Sequence, residues 1–314
     1  MNNIIVIGNI EGSGGLKNRM DKNLYNFYTY LKIHSHYSIE LYNSDQKSVI
    51  LEKNNDKNII LVLPGCKLEY INQLKGIKIY EMMDVTCRCG VYKCIGNGNC
   101  RSNELVNYLL ANKYDYLFYH YDTYIFREKY NFMENRFYMP HFIDQQINKD
   151  YGLEKKYDIL FYGSDWAKVY PFRYKLKKIL ESSSFNSYIV NYDNPITGIE
   201  LSKLINQSWI TICTKSNHNL LLQKYMEVAM NSSVICGDFP DLEQRVFGDN
   251  MIYIDISMKD KQIKQILTDY LQNKDKLIRM SNELYKISCD KYTYETGLST
   301  FNKYIHTIVQ KESL

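Results

Sequence analysis

Short apolar runs rich in Ile, Val and Tyr alternate along the chain with longer segments whose apolar residues recur every three to four positions. The first pattern is typical of buried β-strands and the second of amphipathic helices. Strands are predicted at 3–9, 39–43, 58–63, 77–82, 114–119, 136–139, 157–162, 188–191, 209–213, 234–236 and 251–254. Helices are predicted at 16–33, 102–112, 171–182, 198–206, 220–230, 260–272, 275–289 and 294–310. This alternation indicates an α/β fold with parallel sheets.

The strand–helix rhythm restarts at Tyr157, after a short charged segment, and therefore predicts two Rossmann-like domains. We place them at 1–150 and 151–314, and 314 residues are enough for two cores. The final helix, 294–310, is counted with the second domain, and its packing back on the first is left open. Two such domains place function in the cleft between them.

Composition and charge narrow the classes of function. A hydrophobic fraction of 45% and a charged fraction of 24% are those of an ordinary globular protein. The net charge of +4 is small, and the basic residues are dispersed, which disfavours nucleic acid as a partner. No apolar run reaches the roughly 18–20 residues of a membrane span, and the first residues have no signal-peptide pattern. We expect a soluble cytoplasmic protein, and the many Asn, Lys, Ile and Tyr residues suggest an AT-rich genome, such as that of a microbe or a large DNA virus.

Four of the eight cysteines cluster in a glycine-containing loop at 86–100 of the first domain. Their spacing departs from the C-x2-4-C pairs of zinc ribbons and fingers. Structural zinc and disulfides are therefore the minor alternatives, and reduced thiols in a loop are favoured. The residues concerned are Cys87, Cys89, Cys94 and Cys100.

Two loops after predicted strands carry residues suited to phosphate. Glycines allow backbone amides to approach an anion, and helix N-termini favour negative charge. The first loop, between the first strand and the first helix, contains Gly12, Gly14 and Gly15. The second contains Gly163 and Ser164 and leads to a helix that begins at Pro171 and carries Arg173, while Lys215 follows the strand 209–213. A tight turn and solvated cations remain the alternative interpretation of these residues.

Several catalytic motifs are absent from the sequence. There is no D-x-D, the pair of carboxylates with which many transferases hold a cation on a nucleoside diphosphate, and this favours neutralisation by Lys, Arg and helix dipoles. The chain also has no G-x-S-x-G, P-loop or H-E-x-x-H motif. We therefore expect no required cofactor and no catalytic metal.

The segment 219–242, NLLLQKYMEVAMNSSVICGDFPDL, predicts a helix, a turn, a buried strand and an acidic loop. It leaves Glu227 on an amphipathic helix without an obvious lysine partner. A carboxylate near the carboxyl ends of parallel strands is placed to bind the ribose of a nucleotide. A solvated surface glutamate is the alternative.

Several segments together resemble the GT-B glycosyltransferases, particularly the C-terminal nucleotide-sugar domain of the family 1/family 4 type. They are YDILFYGS (157–164), YPFR (170–173), WITICT (209–214), QKYMEVAMNSSVICGDFPDL (223–242) and DNMIYI (249–254), and RFYMPHFID (136–144) resembles the strand that ends the first domain. The resemblance covers most of 136–300 and only loosely the first 130 residues. It implies two Rossmann-like domains with parallel sheets facing an interdomain cleft.

The resemblance also assigns roles to residues. Glu227 would accept hydrogen bonds from the ribose, Lys215 and Arg173 would contact the diphosphate, and Asn219 stands where families with E-x7-E have a glutamate that touches the transferred sugar. The remaining donor-side candidates are Gly12, Gly14, Gly15, Gly163, Ser164 and Tyr225. Any catalytic base should follow a strand of the first domain, where the candidates are Asp84, His120 and Asp122.

The resulting hypothesis is a metal-independent glycosyltransferase that moves a sugar from a nucleoside diphosphate, with a UDP-sugar favoured, to a glycan, protein or lipid. The sequence leaves the acceptor, the stereochemistry and the oligomeric state open. There are two alternatives: a catalytically silent binding or assembly protein of the same fold, and an epimerase or hydrolase of nucleotide sugars. The glycine spacing disfavours a nicotinamide oxidoreductase.

Overall fold

The structure, a computed structural model, describes residues 3–11, 23–82, 101–121, 130–191, 194–216, 220–240 and 246–313. These residues form eleven strands and nine α-helices. The strands are β1 (Asn3–Gly8), β2 (Ser38–Asn43), β3 (Ile59–Val62), β4 (Ile77–Met82), β5 (Tyr116–Tyr119), β6 (Arg136–Tyr138), β7 (Tyr157–Phe161), β8 (Ser187–Ile189), β9 (Ser208–Ile212), β10 (Val234–Gly237) and β11 (Ile252–Tyr253). The helices are α1 (Asn23–His34), α2 (Lys47–Lys53), α3 (Arg101–Ala111), α4 (Pro171–Glu181), α5 (Gly198–Asn206), α6 (Lys224–Met230), α7 (Asp260–Gln272), α8 (Lys274–Lys291) and α9 (Tyr294–Glu312).

The chain divides into two compact units, of which the first comprises Met1–Phe142 and Tyr294–Leu314 and the second Ile143–Thr293. The first unit contains a parallel six-stranded sheet in the order β2-β1-β3-β4-β5-β6. Its inner strand β1 is apolar on both faces, as a covered parallel sheet requires. Ile4 and Val6 pack in one cluster with residues of α1 and α9, and Ile5 and Ile7 pack in another with residues of α2 and α3.

Helix α9 belongs to the first unit, although it follows the last residue of the second. Its first residue, Tyr294, donates a hydrogen bond of 2.9 Å to the Asn23 carbonyl of α1. Gly297 allows close contact, because a Cβ there would lie 2.6 Å from a ring carbon of Phe27 and 2.7 Å from one of Phe142. An apolar stripe along the helix, including Phe301, then buries against the sheet.

The second unit contains a parallel five-stranded sheet in the order β11-β10-β9-β7-β8. The inner strands are mostly apolar, with Ile159, Ile210 and Ile235 at 0% exposure, and the buried Thr211 of β9 is hydrogen-bonded to Ser233 at 2.8 Å. Helices α4, α6, α7 and α8 contribute buried residues to the same cluster. The carboxyl ends of β7, β9 and β10 therefore open at one edge of this sheet.

The boundary between the units lies after Phe142, whereas the sequence placed it after residue 150. Polar contacts account for the difference. The amide of Lys149 donates to Asn231 Oδ1 at 3.2 Å, and the amide of Leu153 donates to the buried Asn206 at 3.0 Å. These contacts tie the connecting segment to the second unit, and they follow no apolar periodicity that the sequence could have shown.

Two further differences concern helices. Helix α2 was not predicted, since its seven residues give too few turns for a clear apolar period. The helix predicted at 220–230 begins only at Lys224. Leu220 instead forms a loop, in which its amide bonds the Ser216 hydroxyl at 3.2 Å and its carbonyl accepts from the Ser216 amide at 3.2 Å. Among the described residues, no helix combines the length and the apolar character that crossing a membrane would require.

Candidate functional site

The candidate site of the second unit lies where β7, β9 and β10 end, the edge at which parallel α/β sheets bind ligands. Gly237, the last residue of β10, lets this edge close up, because a Cβ there would lie 1.6 Å from the Cys213 carbonyl oxygen. Gly163 follows β7 with φ of +93°, a conformation that favours glycine, and a Cβ there would be 3.4 Å from Arg173 Nη1. Gly163 therefore leaves room for the Arg173 guanidinium, and Gly237 allows β10 to approach the Cys213 backbone.

Arg173 projects from the first turn of α4 and is only 5% exposed. Its Nε donates to Thr214 Oγ1 at 3.1 Å, and Nη1 donates to the Ser164 carbonyl at 2.9 Å. The guanidinium carbon lies 4.3 Å from the ring centroid of Tyr170. Nη2 is buried and has no hydrogen-bond partner among the described residues, and no described carboxylate forms an ion pair with this arginine. Burial lowers the pKa of the guanidinium.

Lys224, the first residue of α6, is a second cation of this site that the sequence analysis overlooked. Its Nζ donates to the Tyr162 carbonyl at 2.8 Å and lies 3.7 Å from the centroid of the Tyr162 ring. Burial lowers the pKa of Lys224 to about 7. The available signal was its position three residues before Glu227, on the same face of a helix.

Glu227 also lies in α6 and is partly buried. Gln223 Nε2 donates to its Oε1 at 2.7 Å, and the Tyr162 hydroxyl donates to its Oε2 at 3.4 Å. Tyr162 therefore contacts both the carboxylate and Lys224. The predicted donor residues Gly163, Ser164, Arg173 and Glu227 thus share one neighbourhood with Lys224, while their role in binding stays a prediction.

Lys215 and Tyr225 lie around Asp238, which follows β10. The Lys215 amide donates to Asp238 Oδ1 at 2.9 Å, so its backbone holds the loop after β9. Burial raises the pKa of Asp238 to about 6. Tyr225, a predicted donor contact, is instead 0% exposed, and its hydroxyl donates to the Asp238 carbonyl at 2.5 Å. The side chain of Tyr225 therefore lies on the core side of α6 and holds the loop after β10 through this hydrogen bond.

A second polar cluster lies at the carboxyl ends of β4 and β5 in the first unit. His120 directly follows β5, is 5% exposed, and has its Nε2 2.8 Å from Oε1 of Glu81, which is 0% exposed. The Tyr28 hydroxyl donates to the other carboxylate oxygen at 2.9 Å. The ring of His141 stacks on that of His120 at a centroid distance of 5.1 Å and an angle of 17°. The sequence pointed to His120 but not to its partners, which are far apart along the chain.

The other predicted residues lie outside the described residues. They comprise the first-domain glycines, two candidate bases, the residue in place of the family glutamate and the cysteine cluster: Gly12, Gly14, Gly15, Asp84, Asp122, Asn219, Cys87, Cys89, Cys94 and Cys100. Among the residues that are described, no group of three or more His, Cys, Asp or Glu side chains is arranged to hold a metal ion. Metal independence therefore stays a prediction.

Neither a protein-family model nor a curated protein matches the sequence. Solved structures do match over almost the whole length of the chain. Sucrose-phosphate synthase from Thermosynechococcus elongatus has a TM-score of 0.69 at 7% identity, covering 99% of this chain and 100% of its own. A trehalose-6-phosphate synthase has a TM-score of 0.64 at 10% identity, covering 98% and 99%. HepE from Anabaena, in complex with UDP and glucose, has a TM-score of 0.61 at 9% identity, covering 99% and 100%.

These similarities, together with the two parallel sheets, establish the predicted fold. The chain has the GT-B fold, in which each unit is a Rossmann-like α/β domain. Identities of 7–10% show the fold alone. Function must therefore be argued from the side chains of the site.

Proposed function

We propose that this protein is a nucleotide-sugar-dependent glycosyltransferase that acts without a metal ion. It takes the sugar from a nucleoside diphosphate, with a UDP-sugar favoured, and transfers it to a hydroxyl group of a glycan, protein or lipid. The observation that carries the proposal is the buried Arg173 guanidinium, which has an unused Nη2 donor and no described carboxylate partner.

Burying a charge without a counter-charge costs free energy, and a bound anion would offset that cost at this guanidinium. A phosphate group would supply both the missing anion and an acceptor for Nη2, since guanidinium and phosphate form short charge-assisted hydrogen bonds. Lys224 adds a second cation, with a pKa of about 7 that an adjacent diphosphate would raise. In the proposed reaction, these two cations neutralise the leaving group in the absence of a D-x-D pair and its metal ion.

Glu227 suits the ribose of the same nucleotide. A carboxylate accepts hydrogen bonds from two neighbouring hydroxyls, and Gln223 and Tyr162 hold this one in place. The complex of HepE with UDP and glucose supports the choice of UDP for the first trials.

In the proposed reaction, the bond between the anomeric carbon and the diphosphate oxygen breaks, and a bond to the acceptor oxygen forms. Arg173 and Lys224 stabilise the negative charge that develops on the leaving diphosphate. The acceptor proton leaves for a base of the first unit or for the departing phosphate. His120 is the described candidate for such a base, and Asp84 and Asp122 remain predicted alternatives.

Thermal-shift titration with UDP, GDP, CMP, TDP and their sugars, with EDTA present throughout, tests the donor half of the proposal. A ligand that binds only the native state raises the melting temperature by mass action. We expect one nucleoside diphosphate to do so. Product analysis with and without acceptors then separates transfer from hydrolysis or epimerisation, and no shift with any nucleotide would instead support a silent binding protein.

Replacement of the ribose carboxylate sharpens the test. Glu227→Ala should weaken nucleotide binding by about 3–6 kcal/mol, because each of the two lost hydrogen bonds to a charged group is worth about 1.5–3 kcal/mol, while the protein stays folded. Glu283→Ala, which removes an exposed carboxylate on α8, serves as the matched control. Equal affinity of the Glu227 variant and its control would contradict the ribose assignment.

A further inference from the structure

The carboxylate of Glu81 in the first unit is buried and held by hydrogen bonds from two sides. Glu81 is 0% exposed on β4, and both of its oxygens are engaged, one by the Tyr28 hydroxyl and the other by His120 Nε2. A carboxylate can only accept hydrogen bonds. When Glu81 is a carboxylate, Nε2 must therefore carry the proton in the contact between them.

This proton placement determines the chemistry of the other ring nitrogen. Nδ1 of His120 is buried and has no hydrogen-bond partner among the described residues. In a neutral imidazole with its proton on Nε2, Nδ1 is an acceptor. A buried polar atom without a partner costs about 1–3 kcal/mol, and a hydrogen-bond donor supplied by a ligand would remove this cost at the strand end.

The ring of His141 stacks on that of His120 at a centroid distance of 5.1 Å. Burial holds the pKa of His141 well below its usual range, and its Nε2 also lacks a partner among the described residues. The ring of Tyr121 meets His141 edge-on at 5.0 Å. Among the described residues, Glu81 is the acidic group in contact with His120, and this contact is made through Nε2.

We propose that Glu81 is a positioning residue that holds His120 with its proton on Nε2 and thereby presents Nδ1 as an acceptor for a hydroxyl group of the bound sugar or acceptor. This inference rests on the proposed function for the identity of the ligand, but not for the state of the histidine. It also defines the ligand chemistry, because Nδ1 in this form accepts from O–H and repels carbonyl and phosphate oxygens. Tyr28 orients the carboxylate from the other side.

The state of the histidine can be measured without any substrate. In protein labelled with ¹⁵N-histidine, the two ring nitrogens of His120 report their protonation, and His120→Gln assigns the signals among the six histidines. We expect a protonated Nε2 and an unprotonated Nδ1 near neutral pH, and a shift toward a mixture of tautomers in Glu81→Gln. A proton on Nδ1 in the unmodified protein, or a spectrum unchanged by Glu81→Gln, would overturn the proposal.

Kinetics test whether the positioning matters for transfer. Loss of orientation at a reacting group costs on the order of 100-fold, so we expect such a loss in kcat/KM for Glu81→Gln. Because Glu81 acts through His120, the double variant with His120→Gln should lose no more than His120→Gln alone. Additive losses would show that Glu81 acts separately and would contradict the inference.

A matched variant separates positioning from stability. Tyr28→Phe removes the hydrogen bond to the other carboxylate oxygen and leaves the Glu81–His120 contact, so the tautomer should persist. If no donor or acceptor gives transfer with the unmodified protein, the proposed function fails, while the tautomer measurement still decides the role of Glu81.

Discussion

Replacement of the buried arginine separates binding from folding in the second unit. Arg173→Met keeps much of the aliphatic volume but removes the guanidinium and its two hydrogen bonds, to Thr214 and to the Ser164 carbonyl. It also removes the unused Nη2 donor. The free protein and the nucleotide complex should therefore respond differently.

The magnitudes follow from the contacts. In the free protein, the two lost hydrogen bonds are worth about 1.5–3 kcal/mol each, whereas the removal of a buried charge without a counter-ion returns several kcal/mol. These contributions oppose one another, so we expect the free energy of unfolding to change by less than about 2 kcal/mol. In the complex, the loss of one charge-assisted hydrogen bond to phosphate should cost about 1.5–3 kcal/mol, which is about 10- to 150-fold in Kd.

Urea unfolding of the free protein and calorimetric titration with UDP measure the two quantities. Arg279→Met, which removes an exposed arginine on α8, is the control for loss of one positive charge. If UDP affinity stays within about threefold of the control, Arg173 does not bind the diphosphate. If the free variant instead unfolds, the guanidinium holds the fold together and the reasoning from its missing counter-charge is wrong.

Three further variants test the fold and the electrostatics of the site. Lys224 has a pKa of about 7 in the folded protein, so between pH 7 and 9 this lysine binds more protons in the unfolded chain and its own contribution to stability rises with pH. The stability of the unmodified protein relative to Lys224→Met should therefore rise over this range by at most about 1.4 kcal/mol per pH unit, in urea titrations at several pH values. Gly237→Ala would place a Cβ 1.6 Å from the Cys213 carbonyl oxygen and should destabilise the second unit by more than about 3 kcal/mol. An unchanged thermal unfolding curve would mean that the strand ends can move apart. In Gly297→Ala, the clash with Phe27 and Phe142 should destabilise the protein by about 1–3 kcal/mol, while the higher helix propensity of Ala should stabilise it by about 1 kcal/mol. A more stable variant in calorimetry would show that this contact relaxes.

The elements of the fold were accessible from local pattern. Every predicted strand has an observed counterpart, and β4 and α7 agree with the predicted bounds. A buried parallel strand appears in the sequence as a short apolar run, and an amphipathic helix appears as apolar residues every three to four positions. Both signals lie within a few consecutive residues. The short helix α2 and the loop before α6 were missed, since four to seven residues carry too little of that periodicity.

The site could be predicted in part. Strand ends and motif resemblance directed attention to Arg173 and Glu227, which lie near one another in the second unit. The sequence could not show that Arg173 is buried with one donor unused, nor that Tyr225 faces the core. Burial depends on which elements cover a side chain, and this is a property of packing.

The sequence by itself determined the α/β class, the parallel sheets and the two-domain plan, because these follow from short continuous apolar runs, from the helical period of about 3.6 residues and from the order of elements. Tertiary structure alone decided which polar side chains meet. Glu81 and His120 are 39 residues apart, and Tyr162 and Glu227 are 65 apart, so no local pattern connects them. It also decided that α9 returns to the first unit and that the connecting segment joins the second, because those contacts join residues that are far apart in the sequence.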